Sequence, residues 1–260
     1  MPLITLTTDF GSSDHFVGTM KGVILSIAPR ATIVDITHEI MPYDVNEAAF
    51  VIAQAWRYFP KKTIHVIVVD PGVGSSRRPI LCEAEGQFFI APDNGVLSMI
   101  YDAAAHKVRE ITNARFMRKD VSRTFHGRDV FAPAAAHLAA GESASKAGKP
   151  ISDYVRSFLL KPQQIGRSQW SGVILKVDRF GNLITNLHID QFAGVKTKPF
   201  ELRIGLERIH RLALTYAETE IGDVFAIVGS SGYLEIASNQ ASAAKLLGCG
   251  AGAAVELEIS

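Results

Sequence analysis

The stretch IHVIVVDPGVGSSRR, residues 64–78, decides how the chain folds. Between His65 and Asp70 it holds only Val66, Ile67, Val68 and Val69, the unbroken β-branched run of a strand buried on both faces of a parallel sheet. Pro71 fixes its own φ and lacks a donor, while Gly72 and Gly74 open backbone conformations closed to other residues, so the chain must turn there. Asp70 is therefore expected at the carboxyl edge of a strand, where open α/β sheets bind ligands. Arg77 and Arg78 follow the turn, and one of them is expected to fold back onto the Asp70 carboxylate.

The same logic repeats around this strand. Leu3 to Thr8 alternate as a strand that ends on Asp9, and ATIVDITHEI (31–40) reads as a buried strand with Asp35 and His38 near its end. The helix between them stops by Pro29, and Ser12, Ser13 or Asp14 is its expected cap. DVNEAAFVIAQAWRYFP (44–60) reads as an amphipathic helix closed by Pro60. Two strands joined at Gly86 follow, then a PDNG turn, a helix from Val96, one more strand, a basic loop, and a helix that tolerates Pro133 and ends at Gly141. His126 stands just before that last helix. Strands alternating with helices predict an α/β fold.

Between Gly141 and Gly172 long periodicity disappears and Ser, Gly, Lys and Pro accumulate, the composition of a domain boundary. From Gly172 onward β-type runs dominate, with one short helix around Ala241 to Leu247. The expected organisation is an N-terminal α/β domain with a largely parallel central sheet over residues 1–160, and a smaller C-terminal all-β, barrel-like domain over 168–260. Within the latter, DRFGN (178–182) and SSGYLE (230–235) are polar turns between apolar strands, and each also fits a plain hairpin turn.

Composition narrows the class of function. With 47% hydrophobic and 20% charged residues and a formal net charge of +1, the chain has no electrostatic bias toward nucleic acid or a membrane surface. No stretch approaches the roughly 18 apolar residues of a transmembrane helix, and the N-terminus has no basic leader, so a cytoplasmic protein is expected. Cys82 and Cys249 lack metal-site spacing and are expected to be buried free thiols.

Carboxylates at strand ends, an arginine beyond a glycine turn and a histidine at a helix start assemble into two chemistries. In one, Asp9, Asp14, His15, Asp35 and His38, completed by Asp70 and His126, hold a hydrolytic metal, although no pair has the tight spacing of a ligand motif. In the other, Asp70, Arg77 and His126 orient a water without a metal, and Asp70 or His126 takes its proton as it attacks.

TLTTDFG with the following Asp14, VVDPGVG with Arg77, IAPDNG, FHGRD, DRFGN and SSGYLEIA, in this order and over essentially the whole chain, resemble the S-adenosyl-L-methionine hydroxide adenosyltransferase family, relatives of the fluorinase and chlorinase. The resemblance implies an α/β domain joined to a β-barrel, hydrolysis of S-adenosylmethionine (SAM) to adenosine and L-methionine without metal or cofactor, and a homotrimer with sites at subunit interfaces. It carries the catalytic triad onto Asp70, Arg77 and His126. It implies that Asp9 holds the ribose hydroxyls, and that Tyr43 lies where the halogenating relatives have a tryptophan against the nucleoside. Asp14 and Asp178 match positions that receive the methionine ammonium, and Asn182 matches a hydrogen bonder to the adenine edge. Ser230 and Ser231 would face the methionine carboxylate. Tyr233, Glu235, Asn239 and Gln240 fall near the adenine, and Tyr216 is a further aromatic partner for it.

Departures from the halogenating relatives bear on the nucleophile. The fluorinase-type enzymes have a tyrosine at the position of Asp70 and an inserted loop where this chain has only Glu83 to Gly86. Ser231 replaces a halogenase arginine, and DRFGN is one residue shorter than its halogenase counterpart. A carboxylate facing the attacking atom repels a halide and suits a water that must lose a proton. The alternatives are a sensing protein that binds adenosine or SAM without turnover, and a halide-dependent transferase.

Overall fold

The computed structural model describes residues 1–157 and 161–260, and the expected domain end at residue 160 lies outside the described residues. The chain divides into two compact units, residues 1–157 and 158–260.

The first unit is built on seven strands: β1 (Leu3–Thr8), β2 (Thr32–Thr37), β3 (Ile64–Val68), β4 (Pro79–Ala84), β5 (Gln87–Pro92), β6 (His106–Glu110) and β7 (Pro150–Ile151), in the order β2-β1-β3-β5-β4-β6-β7. The pairs β2–β1, β1–β3 and β3–β5 are parallel, and β4, β6 and β7 extend the sheet antiparallel. The central strand β3 is buried along its whole length, as its β-branched run requires. One face of the sheet, carrying Ile4, Leu6, Ile64, Val66 and Val68, packs on Met20 and Ile24 of α1 (Phe16–Ile27) and the alanines of α4 (Ala132–Ala139). On alternate positions Thr5, His65 and Phe89 stand in register. Trp56, at the end of α2 (Val45–Ala55), packs edge-on against Phe89, and α3 (Ser98–Ala103) packs beside α2.

Because β1, β2 and β3 run parallel, Asp9, His38 and Asp70 emerge at the same carboxyl edge. The start of α1 differs from expectation. His15 occupies the cap with no side-chain hydrogen bond, and Ser12, Ser13 and Asp14 are exposed. Asp44 does cap α2, accepting from the Glu47 amide at 2.9 Å.

The second unit is one curled sheet forming a half-barrel. Its strands are β8 (Gln163–Gln164), β9 (Gln169–Val177), β10 (Leu183–His188), β11 (Phe200–Ile204), β12 (Glu207–Ile209), β13 (Leu212–Ala213), β14 (Val224–Val228), β15 (Tyr233–Ser238) and β16 (Ala254–Ile259). They run in the order β12-β11-β16-β9-β10-β15-β14-β13, with β8 against β9, and β12 curls round to meet β14. Leu183, Leu187, Leu202, Leu234, Ile236, Val255 and Leu257 fill its core. The short α5 (Ala243–Leu247) is capped by Ser242 and closed by Gly248 at φ 61°. Cys82 is buried as expected, whereas Cys249 is only partly so.

Candidate active site

The turn after β3 works as the sequence requires. Gly74 has φ 77°, and a Cβ there would collide with the Arg123 carbonyl oxygen, so only glycine fits. The turn brings Arg77 back to Asp70 in a two-pronged pair: Nε donates to Oδ1 at 2.8 Å, and Nη2 donates to Oδ2. The two side chains are only 9% and 5% exposed. Arg78 turns away to Asp93 and Asp153.

Arg77 Nη2 also donates to His126 Nδ1 at 2.8 Å, and the guanidinium lies 5.1 Å from the Phe131 ring centroid. A guanidinium cannot accept, so Nδ1 must offer a lone pair and the neutral imidazole carries its proton on Nε2. Burial and the neighbouring Arg77 charge both push the His126 pKa down, with Asp70 and a hydrogen bond to the Ser122 backbone opposing them. His126 itself caps a π-helical turn, Gly127 to Phe131, that runs directly into α4. Such turns often mark functional sites.

Asp70 and His126 open onto a cavity of about 350 Å³ together with Asp9, Phe10, Phe16, Pro42, Tyr43, Val68, Val73 and residues 124–127. Asp9 accepts from the Tyr43 amide at 2.9 Å. Burial raises its pKa against that hydrogen bond, and the Asp70 charge adds to the rise. Tyr43 stands on the rim, 72% exposed, with its backbone held at φ 70°. Phe10, Phe16 and Phe125 pack as a cluster with centroid separations of 5.2 to 6.0 Å and give the cavity an apolar wall. Sequence reading missed these three. Their signal was present in DFGSSDHF and TFHG, where each aromatic sits within a residue or two of a polar candidate.

In the second unit, Asn182, Tyr216, Asn239 and Gln240 line a pocket of about 600 Å³ with Phe180, Ser238, Ala241 and Ser242. Ser238, also missed, is 4% exposed, and its hydroxyl has no hydrogen-bond partner among the described residues. Asp178 closes the DRFGN turn: Oδ1 accepts from the Phe180 and Asn182 amides, and Oδ2 from Asn182 Nδ2 at 2.9 Å. Asn239 donates to the Thr219 carbonyl at 2.7 Å. Glu235 is buried outside the pocket lining, and burial, assisted by Asp178, pushes its carboxyl up to about 7. Ser230 and Ser231 occupy the β14–β15 turn, and Tyr233 packs against His188.

Among the described residues no three His, Cys, Asp or Glu side chains are placed to hold a metal ion. Asp35 and His38, two of the ligands considered for a metallohydrolase, are instead engaged with Lys21, Thr8 and each other. Among the described residues, no helix is long and apolar enough to cross a membrane.

The chain is 38% identical over 259 residues to the (R)-S-adenosyl-L-methionine hydrolase of Salinispora tropica, covering 95% of this chain and 94% of that one. It is 32% identical over 274 residues to a fluorinase from an Actinoplanes species, covering 92% of each. The crystal structure of an uncharacterised conserved protein from Thermotoga maritima superposes with a TM-score of 0.90 at 36% identity, over 98% of this chain and 99% of that one. Residues 4–148 match the SAM hydroxide adenosyltransferase N-terminal domain and residues 172–256 the C-terminal domain. The chain belongs to the SAM hydroxide adenosyltransferase family.

Proposed function

We propose that this chain hydrolyses S-adenosyl-L-methionine to adenosine and L-methionine by in-line attack of a water on the ribose 5′ carbon. The observation that carries the reading is the interlocked Asp70, Arg77 and His126 at the cavity, in a chain whose relatives include a protein named (R)-S-adenosyl-L-methionine hydrolase. In the reaction a C5′–O bond forms, the C5′–S bond breaks, sulfur keeps the electron pair as a neutral thioether, and the water gives up one proton. The sulfonium is already activated as a leaving group, so only the nucleophile needs help and no cofactor is required.

With His126 neutral and its Nδ1 committed to Arg77, Asp70 is the acceptor best placed for that proton. Arg77 keeps the Asp70 carboxylate oriented and paired, and its Nη1, buried without a hydrogen-bond partner among the described residues, leaves a donor uncommitted. Asp9 holds the ribose hydroxyls with the two acceptor oxygens of its carboxylate, and the phenylalanine cluster offers the nucleoside an apolar wall. Asn182, Tyr216, Asn239 and Gln240 receive the adenine. Asp14, Asp178, Ser230 and Ser231 are assigned to the methionine end, and Tyr233 and Glu235 to the neighbourhood of the adenine. A cytoplasmic homotrimer is the working form.

The test is chelator-treated protein incubated with SAM and followed for adenosine and methionine. Equal amounts of both, undiminished by chelator, support the reading. Tight binding of SAM without turnover would replace it with a sensing role, and loss of activity in chelator would revive the metal-dependent mechanism.

A further inference from the structure

Asp35 and His38 stand at a carboxyl strand edge, yet the reaction just described uses neither. Their contacts run in one direction. Lys21 Nζ donates to Asp35 Oδ2 at 2.6 Å, and His38 Nε2 meets Asp35 Oδ1 at 3.0 Å. On its other side His38 Nδ1 lies 2.9 Å from the Thr8 hydroxyl, and the Phe10 amide donates to that hydroxyl at 3.3 Å. A proton on His38 Nε2 makes Nδ1 the acceptor for Thr8 O–H, which in turn leaves the Thr8 oxygen free to accept from Phe10. The Thr8 and Phe10 donors then have acceptors, while His38 Nε2 approaches Asp35 Oδ1 at 3.0 Å outside hydrogen-bond geometry.

The backbone around His38 repeats the grip. Its carbonyl accepts from the Gly11 amide at 2.8 Å, and the Thr8 carbonyl accepts from the Ile40 amide at 3.4 Å. Asp9, Phe10 and Gly11 are thus held from both ends by the chain that follows β2. The arrangement depends on an irregularity: the β1–β2 register skips Ile36, pairing Leu6 with Asp35 but Thr7 with Thr37. Such a bulge turns the strand end and re-aims its side chains. Thr8 is fully buried, so its hydroxyl can act only through its neighbours, and the residue it fixes is the turn that presents Asp9 to the cavity.

We propose that Asp35, His38 and Thr8 are positioning residues that lock the Asp9 turn for substrate binding. The inference rests on the reading of Asp9 as the ribose-holding carboxylate. Its signature is a rise in KM with kcat preserved, because the locked turn binds ground state and transition state alike.

The experiment compares Thr8→Val, Thr8→Ser, Asp35→Asn, Asp9→Asn and the Thr8→Val/Asp9→Asn double variant in steady-state SAM hydrolysis. Thr8→Val is expected to raise KM about tenfold with kcat within about twofold, and Thr8→Ser to restore KM. Asp35→Asn, at the part-exposed end of the series, is expected to raise KM about threefold. In the Asp9→Asn background Thr8→Val should add less than about twofold, since the relay acts only through Asp9. A fall in kcat at constant KM, or a full tenfold addition in the double variant, overturns the relay. If Asp9→Asn raises KM and Thr8→Val does not, the relay alone fails. If Asp9→Asn leaves KM unchanged, the ribose reading fails and takes the relay with it.

Discussion

The cavity of the first unit and the pocket of the second differ in how their polar groups are held. Around Asp70 the groups lock one another: carboxylate to guanidinium, guanidinium to imidazole, and the guanidinium against Phe131. The pocket of the second unit is larger, about 600 against 350 Å³, and looser. Ser238 has no hydrogen-bond partner among the described residues, Gln240 is exposed, and Asn182 spends its Nδ2 on Asp178, which leaves its Oδ1 as the side-chain atom for a ligand. A reacting centre gains from groups fixed before substrate arrives, because no reorganisation is then required in the transition state. A recognition pocket tolerates unsatisfied groups that the ligand itself completes.

The contrast is sharpest in turnover. Asp70→Asn keeps the shape and one acceptor oxygen but removes the charge, and should cut kcat by about 10²–10⁴ with little change in KM. A variant with the original kcat would break the contrast at its strongest point. Arg77→Leu tests the lock itself. Removing one partner of a buried ion pair strands the other, so a loss of about 3–5 kcal/mol in chemical denaturation is expected, together with loss of turnover.

Acid separates the units by sign. In the first, His65 is fully buried between Thr5 and Gln87, and burial, opposed by the Gln87 hydrogen bond, lowers its pKa to about 4. Below the unfolded value near 6.5 the unfolded chain takes up a proton that the native state refuses, so stability is lost as pH falls from 6.5 toward 4, by on the order of 3 kcal/mol. Glu235 in the second unit behaves oppositely. Its native carboxyl stays protonated up to about 7, so its contribution is full below about 4.5 and is lost as pH rises through 7. Hydrogen exchange at pH 5 and pH 7, corrected for intrinsic rates, should find protection falling on acidification around β3 and rising around β15. The same sign in both units would refute the assignment. The smallest effect belongs to the loose pocket: Asn182→Ala should weaken SAM binding by about 1 kcal/mol, roughly fivefold in KM, with kcat unchanged.

Much of this was legible in the chain itself. The β-branched run into Asp70 and the PGVG turn fixed the strand edge, and the requirement for glycine at residue 74 is met by its φ of 77°. What could not be read was choice among chemically equal partners. Arg77 and Arg78 are adjacent, and only the packing of Asp93 and Asp153 draws Arg78 away. Asp35 and His38 carry metal-ligand chemistry in sequence, but a one-residue bulge in the β1–β2 register turns them toward Lys21 and Thr8. The helix cap at Ser12 to Asp14 failed for a similar reason. His15 ends the turn there, and the helix begins without a side-chain acceptor. The π-helical turn after His126 has no signature in a single sequence, because the extra residue per turn is set by packing against α1 and β3.

The most direct test is the fate of the oxygen. Turnover of SAM in oxygen-18 water should place one heavy oxygen on the 5′ carbon of adenosine and none in the released methionine. Unlabelled adenosine, or methylthioadenosine with labelled homoserine, would contradict attack of water at the ribose carbon.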